Sequence, residues 1–422
     1  MHYWFTHPKV KELLPLAKSS AVRGIASRFS SPRIFMGSAV LPEGPVMGPN
    51  AVAAFGEKCP KKKAFIETDA FGKISAATVA KALEANGFQT TIWDKAAPEA
   101  PLDNVAEAVR SMMVFEPDLI IAVGGGSVID GAKGAWVLYE RPDITDLGMV
   151  SPFLPLGLRK KAVFAAIPTT SGTGSECTAA LVAHDTKSHR KIPIMNADLL
   201  PDFAVLVPEF TMTMPPKLTA GTGLDVLAHA MDCILVGGGN EMTDALAVAA
   251  TEAAFTYLPR AYKNGEDKEA RYQMIVAASM AGMAFGQSGV SLTHSFGHSV
   301  GSLFNIHHGV AVGLFIPYAF QFYRSVTDRY LPLCKALEVK KPSKEESLKN
   351  LIKKFRDLCA MLDVPLAIKD LGISKNDFET KMKDLMLYTM EDVETYLSPR
   401  PMTEQECEQI LRHAYEGKDI DF

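Results

Sequence analysis

The chain has 422 residues, 47% hydrophobic and 22% charged, with a formal net charge of −4. That length exceeds one simple core and predicts two or so domains. The composition excludes a disordered or fibrous chain, and the charge gives no basic footprint for nucleic acid. No run approaches the roughly 18 apolar residues of a membrane span, and the N-terminus MHYWFTHPKVKELL lacks the apolar core of a signal peptide. The six cysteines, at 59, 177, 233, 334, 359 and 407, form no C-x-x-C pair. Their wide, irregular gaps argue against a zinc ribbon or disulfide framework and predict buried, reduced thiols in a cytoplasmic protein.

In chain order, residues 1–30 read as an amphipathic helix and a Ser-rich link, an N-terminal extension. RIFMG (33–37) predicts a short strand, and the basic run KCPKKK a solvated loop leading into the strand KKKAFIETD. The helix ISAATVAKALEANG closes on Gly87. FQTTIWD is a strand, VAEAVRSMMVFEPD a helix and LIIAV a buried strand. This alternation predicts βαβ units on a parallel sheet. AVFAAIP is a further buried strand. From Lys217 onward the pattern is almost entirely helical, Ala- and Met-rich, so the boundary falls near TMTMPPK (211–217) and gives domains 1–215 and 216–422.

LIIAVGGGSVIDGAKGAW is a strand, three glycines and a helix. Glycines let the backbone approach a bulky anion, and the following helix N-terminus offers free N–H groups to phosphate. Ser127 is placed to cap that helix. The pattern is not G-x-G-x-x-G, and a tight turn is the plain alternative. The acid that follows the glycines in the usual dinucleotide fingerprint is missing. The best candidate, Asp69, precedes them at a strand end. At an adenosine ribose it would accept from the 2′-hydroxyl and repel a 2′-phosphate, favouring NAD; otherwise it is a turn residue. PTTSGTGSECT (168–178) offers hydroxyls suited to a pyrophosphate or carboxamide, or is a surface loop.

Five of the ten histidines lie between residues 229 and 308. Asp225 and His229 are four apart, on one face of a helix, and His294 and His298 repeat that spacing. His308 returns after a helix and a turn. This pattern predicts a divalent-metal site, with a buried polar network as the bland alternative. A carboxylate and imidazoles without thiolate disfavour structural zinc and leave Fe(II), Zn(II), Mn(II) and Co(II) open. A catalytic metal with an open position lowers the pKa of an alcohol hydroxyl.

GGGSVIDGAK, IPTTSGTGSE, the LTAGTGLDVLAH block, HSFGHSVG…HHG and the closing SPRPMTEQECEQILRHAY resemble the iron-containing (group III) alcohol dehydrogenases from about Arg33 to the end. The resemblance implies an α/β N-terminal nucleotide-binding domain with a Rossmann-like parallel sheet and an all-α C-terminal metal-binding domain. It implies Asp225, His229, His294 and His308 as metal ligands and His298 as an active-site histidine that relays the proton. Cofactor contacts carry over to Asp69, Gly125, Gly126, Ser127, Asp130, Thr170, Thr173, Thr178 and Lys191. The expected cofactors are NAD and Fe2+, with Zn2+ as the other metal. The expected partners are a small alcohol or diol and its aldehyde or ketone, within a homodimer or larger homo-oligomer. His307 stands where the family has proline, Thr293 where cysteine is common, and Glu99 where asparagine is frequent. Competing readings are a zinc-dependent glycerol dehydrogenase-like or dehydroquinate-synthase-like relative, a hydroxy-acid dehydrogenase, and a non-catalytic subunit retaining the fold.

Overall fold

The computed structural model describes residues 29–44, 48–186 and 190–422. The helix expected near the N-terminus lies outside them. The chain divides into two compact units, with the described parts spanning Ser30–Thr213 and Met214–Phe422.

The first unit is built on β1 (Arg33–Met36), β2 (Lys63–Thr68), β3 (Gln89–Trp93), β4 (Leu119–Gly124), β5 (Val163–Pro168) and β8 (Phe203–Leu206). They form one parallel sheet in the order β1-β8-β5-β4-β2-β3. The interior strands are buried on both faces, which is why LIIAV and FAAIP read as unbroken apolar runs. Alternate residues feed two cores. Ile66, Leu119, Ile121 and Phe203 pack with α1 (Ala51–Lys58) and α2 (Lys73–Glu84). Phe65, Ile120, Ala122 and Phe164 pack with α3 (Leu102–Phe115) and α4 (Gly126–Glu140). An antiparallel hairpin, β6 (Ala180–Asp185) and β7 (Arg190–Met195), stands apart from the sheet and is not signalled by the sequence pattern.

Beyond β2 the chain first builds outward to β3, then crosses to place β4 on the other side of β2. The strand order therefore reverses between β2 and β4, the topological switch point outside whose carboxyl ends open α/β sheets bind ligands. This accounts for the unusual order of acid and glycines. Asp69 follows β2 and the triple glycine closes β4, and these strands are neighbours with Thr68 registered on Val123.

The second unit is helical: α5 (Pro216–Cys233), α6 (Glu241–Lys263), α7 (Lys268–Ser288), α8 (Leu292–Phe304), α9 (His308–Tyr323) and α10–α14, which run Leu331–Ala336, Lys344–Met361, Lys375–Thr380, Met382–Glu391 and Glu404–Glu416. One continuous core joins them, and α5 is buried on every side from Thr219 to Cys233. Among the described residues no single helix is long and apolar enough to cross a membrane. All six cysteines are free and buried.

Candidate metal centre and nucleotide loops

Helix α5 carries Asp225 and His229, α8 carries His294 and His298, and His308 opens α9. Two devices hold these helices in place. First, Asn305 ends α8 in the left-handed conformation (φ +54°), which asparagine tolerates, and the Ile306 N–H closes back on Gly301 O. That tight reversal returns His308 towards His294. Second, α5 and α9 cross through glycines: a Cβ on Gly309 would lie 1.9 Å from Gly221 O and 3.0 Å from the Asp225 Cβ. The helices touch backbone to backbone beside the site.

Side-chain atoms of Asp225, His229, His294 and His308 come within 4.8 Å of one another. Asp225 Oδ1 lies 3.3 Å from His308 Nε2 and 3.8 Å from His229 Nε2. The His229 ring is stacked between Phe285 (4.0 Å) and His294 (4.8 Å). Asp225, His229 and His294 are 3–5% exposed. Asp225 Oδ1 and His294 Nε2 are buried without a hydrogen-bond partner. Buried polar atoms are normally paired, so two unpartnered lone-pair atoms within one cluster fit a cation. Burial would raise the Asp225 carboxyl, yet the facing His229 and His308 imidazoles hold it below the usual carboxylate range. Burial pulls His229 down to about 3 and lowers His294 as well. These shifts favour the carboxylate of Asp225 and the neutral imidazoles of His229 and His294, the forms that bind metal.

Sequence reasoning missed Asp232, one turn beyond His229 on α5. Fully buried, it accepts from Ser291 N at 2.6 Å, from Ser291 Oγ at 3.0 Å and from Thr293 Oγ1. Thr293 Oγ1 lies 3.0 Å from His294 Nδ1. Since the hydroxyl hydrogen goes to Asp232, the hydroxyl oxygen accepts from His294 Nδ1–H, leaving Nε2 bare towards the cluster. The spacing Asp225, His229, Asp232 marks one helix face and was the available signal. His298 stacks along His308 at 5.4 Å, with Nδ1 2.9 Å from Asp392 Oδ2. His307, at the N-terminus of α9, packs on Gly221, where a Cβ would meet its Nδ1 at 2.6 Å.

In the first unit the glycine loop and the threonine loop meet. A Cβ on Gly126 would strike Thr173 at 2.6 Å, and one on Gly125 would lie 3.4 Å from Thr170. Helix α4 starts at Gly126 with Gly125 as its N-cap and has no side-chain cap. Ser127 is therefore not the cap: it lies inside the first turn, and its Oγ accepts from Glu99 N at 3.1 Å. This leaves the helix end open to an anion, and the cradle fits a dinucleotide pyrophosphate.

Asp130 and Thr178 are brought to the same loop but have partners of their own. Asp130 accepts from Ser175 Oγ (2.5 Å) and Val182 N (2.9 Å). Fully buried Lys133 donates to Ser175 O, Thr178 O and Ala180 O at 2.7–2.9 Å, tying the threonine loop to α4. Burial lowers its ammonium to about 8 against the pull of Asp130 and Glu176. Lys191 on β7 pairs with Glu99 at 3.0 Å. Asp69 Oδ1 accepts from Phe71 N (2.9 Å) and Gly72 N (2.7 Å), shaping the turn into α2.

Comparison with known proteins places this geometry. The pattern described as iron-containing alcohol dehydrogenase matches residues 42–208, and that of the C-terminal part of the Fe-containing alcohol dehydrogenase family matches residues 219–415. The chain is 36% identical to an NADPH-dependent butanol dehydrogenase of Clostridium saccharobutylicum, over 81% of this chain and 87% of that one. It is 31% identical to an NAD-dependent methanol dehydrogenase of Bacillus methanolicus, over 89% and 98%. The solved structure of an iron-containing alcohol dehydrogenase from Thermococcus thioreducens superposes with a TM-score of 0.82 at 26% identity, covering 93% of this chain and all of that one. The chain belongs to the iron-containing alcohol dehydrogenase family. It is an alcohol dehydrogenase that works with a nicotinamide nucleotide and a metal.

Proposed function

We propose that the enzyme transfers hydride reversibly between a small alcohol or diol and NAD, with iron(II) held by Asp225, His229, His294 and His308 in the domain spanning 216–422. The unpartnered, buried Asp225 Oδ1 and His294 Nε2 carry this reading. Zinc(II) is the second metal, since the donor set of one carboxylate and three imidazoles suits both ions. The NAD site lies in the domain spanning 1–215. Gly125, Gly126 and Ser127 at the start of α4 take the pyrophosphate; Thr170, Thr173 and Thr178 line the facing loop, positioned through Asp130. Asp69 serves the adenosine ribose and disfavours a 2′-phosphate, and Lys191 is a further cofactor contact. The two relatives above differ in their nucleotide, so the choice rests on Asp69. A cytoplasmic, homo-oligomeric enzyme completes the reading, and the buried free thiols support a reducing compartment.

Held by Asp225, His229, His294 and His308, a divalent cation would supply Lewis-acid polarisation of the alcohol oxygen, and a nicotinamide held by the glycine and threonine loops would supply the hydride acceptor. His298 accepts the hydroxyl proton and passes it towards solvent. Asp225, His229 and His294 are nearly fully buried, with the His229 ring stacked on Phe285, and burial strengthens the charge interactions among them. No relative named above favours the glycerol dehydrogenase-like or non-catalytic alternatives.

The test is metal reconstitution of the wild type and of His294→Ala, with ferrous iron and zinc loaded separately and butan-1-ol oxidation followed as NADH formation. His294→Ala is expected to lose bound metal and nearly all turnover while NAD titration is unchanged. Full turnover in a metal-free His294→Ala protein refutes the reading.

A further inference from the structure

His298 has a partner that the sequence does not announce. Asp392, at the end of α13 and 94 residues away, places Oδ2 2.9 Å from His298 Nδ1. Its Oδ1 accepts the Glu394 N–H at 2.9 Å and so caps the short 3-10 turn Val393–Leu397. Glu394 reaches within 4.0 Å of the same imidazole nitrogen. Both carboxyls are largely buried, with side chains 14% and 18% exposed. Burial would raise Asp392, but the hydrogen bond from Glu394 and the His298 imidazole hold it low. Burial and the neighbouring Asp392 push Glu394 well above its ordinary value. Glu394 is thus the member that carries a proton, and Asp392 is a carboxylate that can only accept.

We propose that Asp392 is the positioning residue for His298: it takes the Nδ1–H, fixes the tautomer, and leaves Nε2 as the bare nitrogen that accepts the alcohol proton. This rests on the role given to His298 above. The ring cannot turn over without breaking the 2.9 Å bond, and its packing along His308 limits its tilt. A histidine that must accept a proton needs the lone pair on the correct nitrogen before substrate arrives, and an acceptor-only partner on the other nitrogen secures this.

The substitution Asp392→Asn separates positioning from folding. Asparagine is as good a cap as aspartate, so its oxygen stays on the Glu394 N–H. Its NH2 group then faces His298 Nδ1 and donates to it. The imidazole must carry its hydrogen on Nε2, the wrong nitrogen for accepting a proton, while the fold and the metal ligands are untouched.

The experiment compares wild type, Asp392→Asn, His298→Ala and the double variant, each loaded with zinc and assayed with butan-1-ol and NAD. Metal content and NAD affinity are measured alongside, and histidine tautomers are read by 15N NMR of the diamagnetic zinc form. Asp392→Asn is expected to lower kcat on the order of 10²-fold or more, within the range of general acid–base contributions, with metal content and NAD affinity unchanged. Its His298 signals should exchange Nδ1–H for Nε2–H. In the His298→Ala background, Asp392→Asn should change kcat by less than about twofold, because there is no ring left to orient. Equal losses in both backgrounds, loss of metal in Asp392→Asn, or an unchanged tautomer overturns the proposal. So does an unchanged kcat in Asp392→Asn while His298→Ala is crippled, and that pattern leaves the role of His298 standing. Full activity in His298→Ala overturns both.

Discussion

Glu67 is a carboxyl built into the wrong solvent. It lies on β2, 1% exposed, with Oε1 against Gly131 of α4, where an added Cβ would stand 3.4 Å away. Its Oε2 has no hydrogen-bond partner, and neither has Nε1 of Trp93, the residue registered opposite it on β3. Burial pushes the carboxyl from 4.5 up to about 8. A carboxyl raised on folding binds its proton more tightly in the native chain. Stability is therefore full below about pH 4.5, declines as pH rises, and levels off above about pH 8. At 1.36 kcal/mol per unit, the 2.5 units between 4.5 and pH 7 correspond to about 3 kcal/mol, and the whole shift to about 5 kcal/mol, as upper bounds. Glu67→Gln keeps the shape and removes the ionisation. It should match wild type near pH 5 and exceed it by roughly 2–4 kcal/mol at pH 9. Urea unfolding followed by tryptophan fluorescence reads the correct unit, because Trp93 and Trp136 both lie in it. Parallel stability–pH curves for the two proteins would show that Glu67 is solvated or paired, and the reasoning would fail.

Two further outcomes follow from the site geometry. Asp69→Asn keeps the acceptor for the Phe71 and Gly72 amides but removes the charge. The NADP-to-NAD ratio of kcat/KM should rise about tenfold or more, the equivalent of about 1.4 kcal/mol of relieved repulsion, and an unchanged ratio refutes the ribose assignment. Gly309→Ala forces a methyl into Gly221 O, so α9 must move off α5. Metal affinity should fall at least tenfold and thermal stability by roughly 2 kcal/mol; tight metal binding in this variant, measured by competition with a chelator, contradicts the close helix crossing.

The sequence was legible where local chemistry repeats. Long apolar runs marked the interior strands, because a strand buried on both faces has no polar alternation. Asp225/His229 and His294/His298 were legible as helical pairs because a 3.6-residue period puts them on one face. Ser127 misled for a local reason: serine is a good cap, but the glycines start the helix two residues earlier, with Gly125 as the N-cap, and leave its end bare. The β6–β7 hairpin escaped because TKSH (186–189), between its strands, carries no glycine turn signal.

What the sequence by itself determined is the inventory: a parallel α/β unit, a helical unit, a glycine loop and a set of candidate metal ligands, two pairs of them at helical spacing. What only the tertiary structure decided is partnership between distant residues. Asp69 meets the glycines because β2 and β4 are neighbours at the switch point. His294 and His298 are oriented by Asp232 and Asp392, which lie 62 residues before and 94 residues after them. Hydrogen-bond direction depends on which atoms face each other through space, and no period along the chain encodes it.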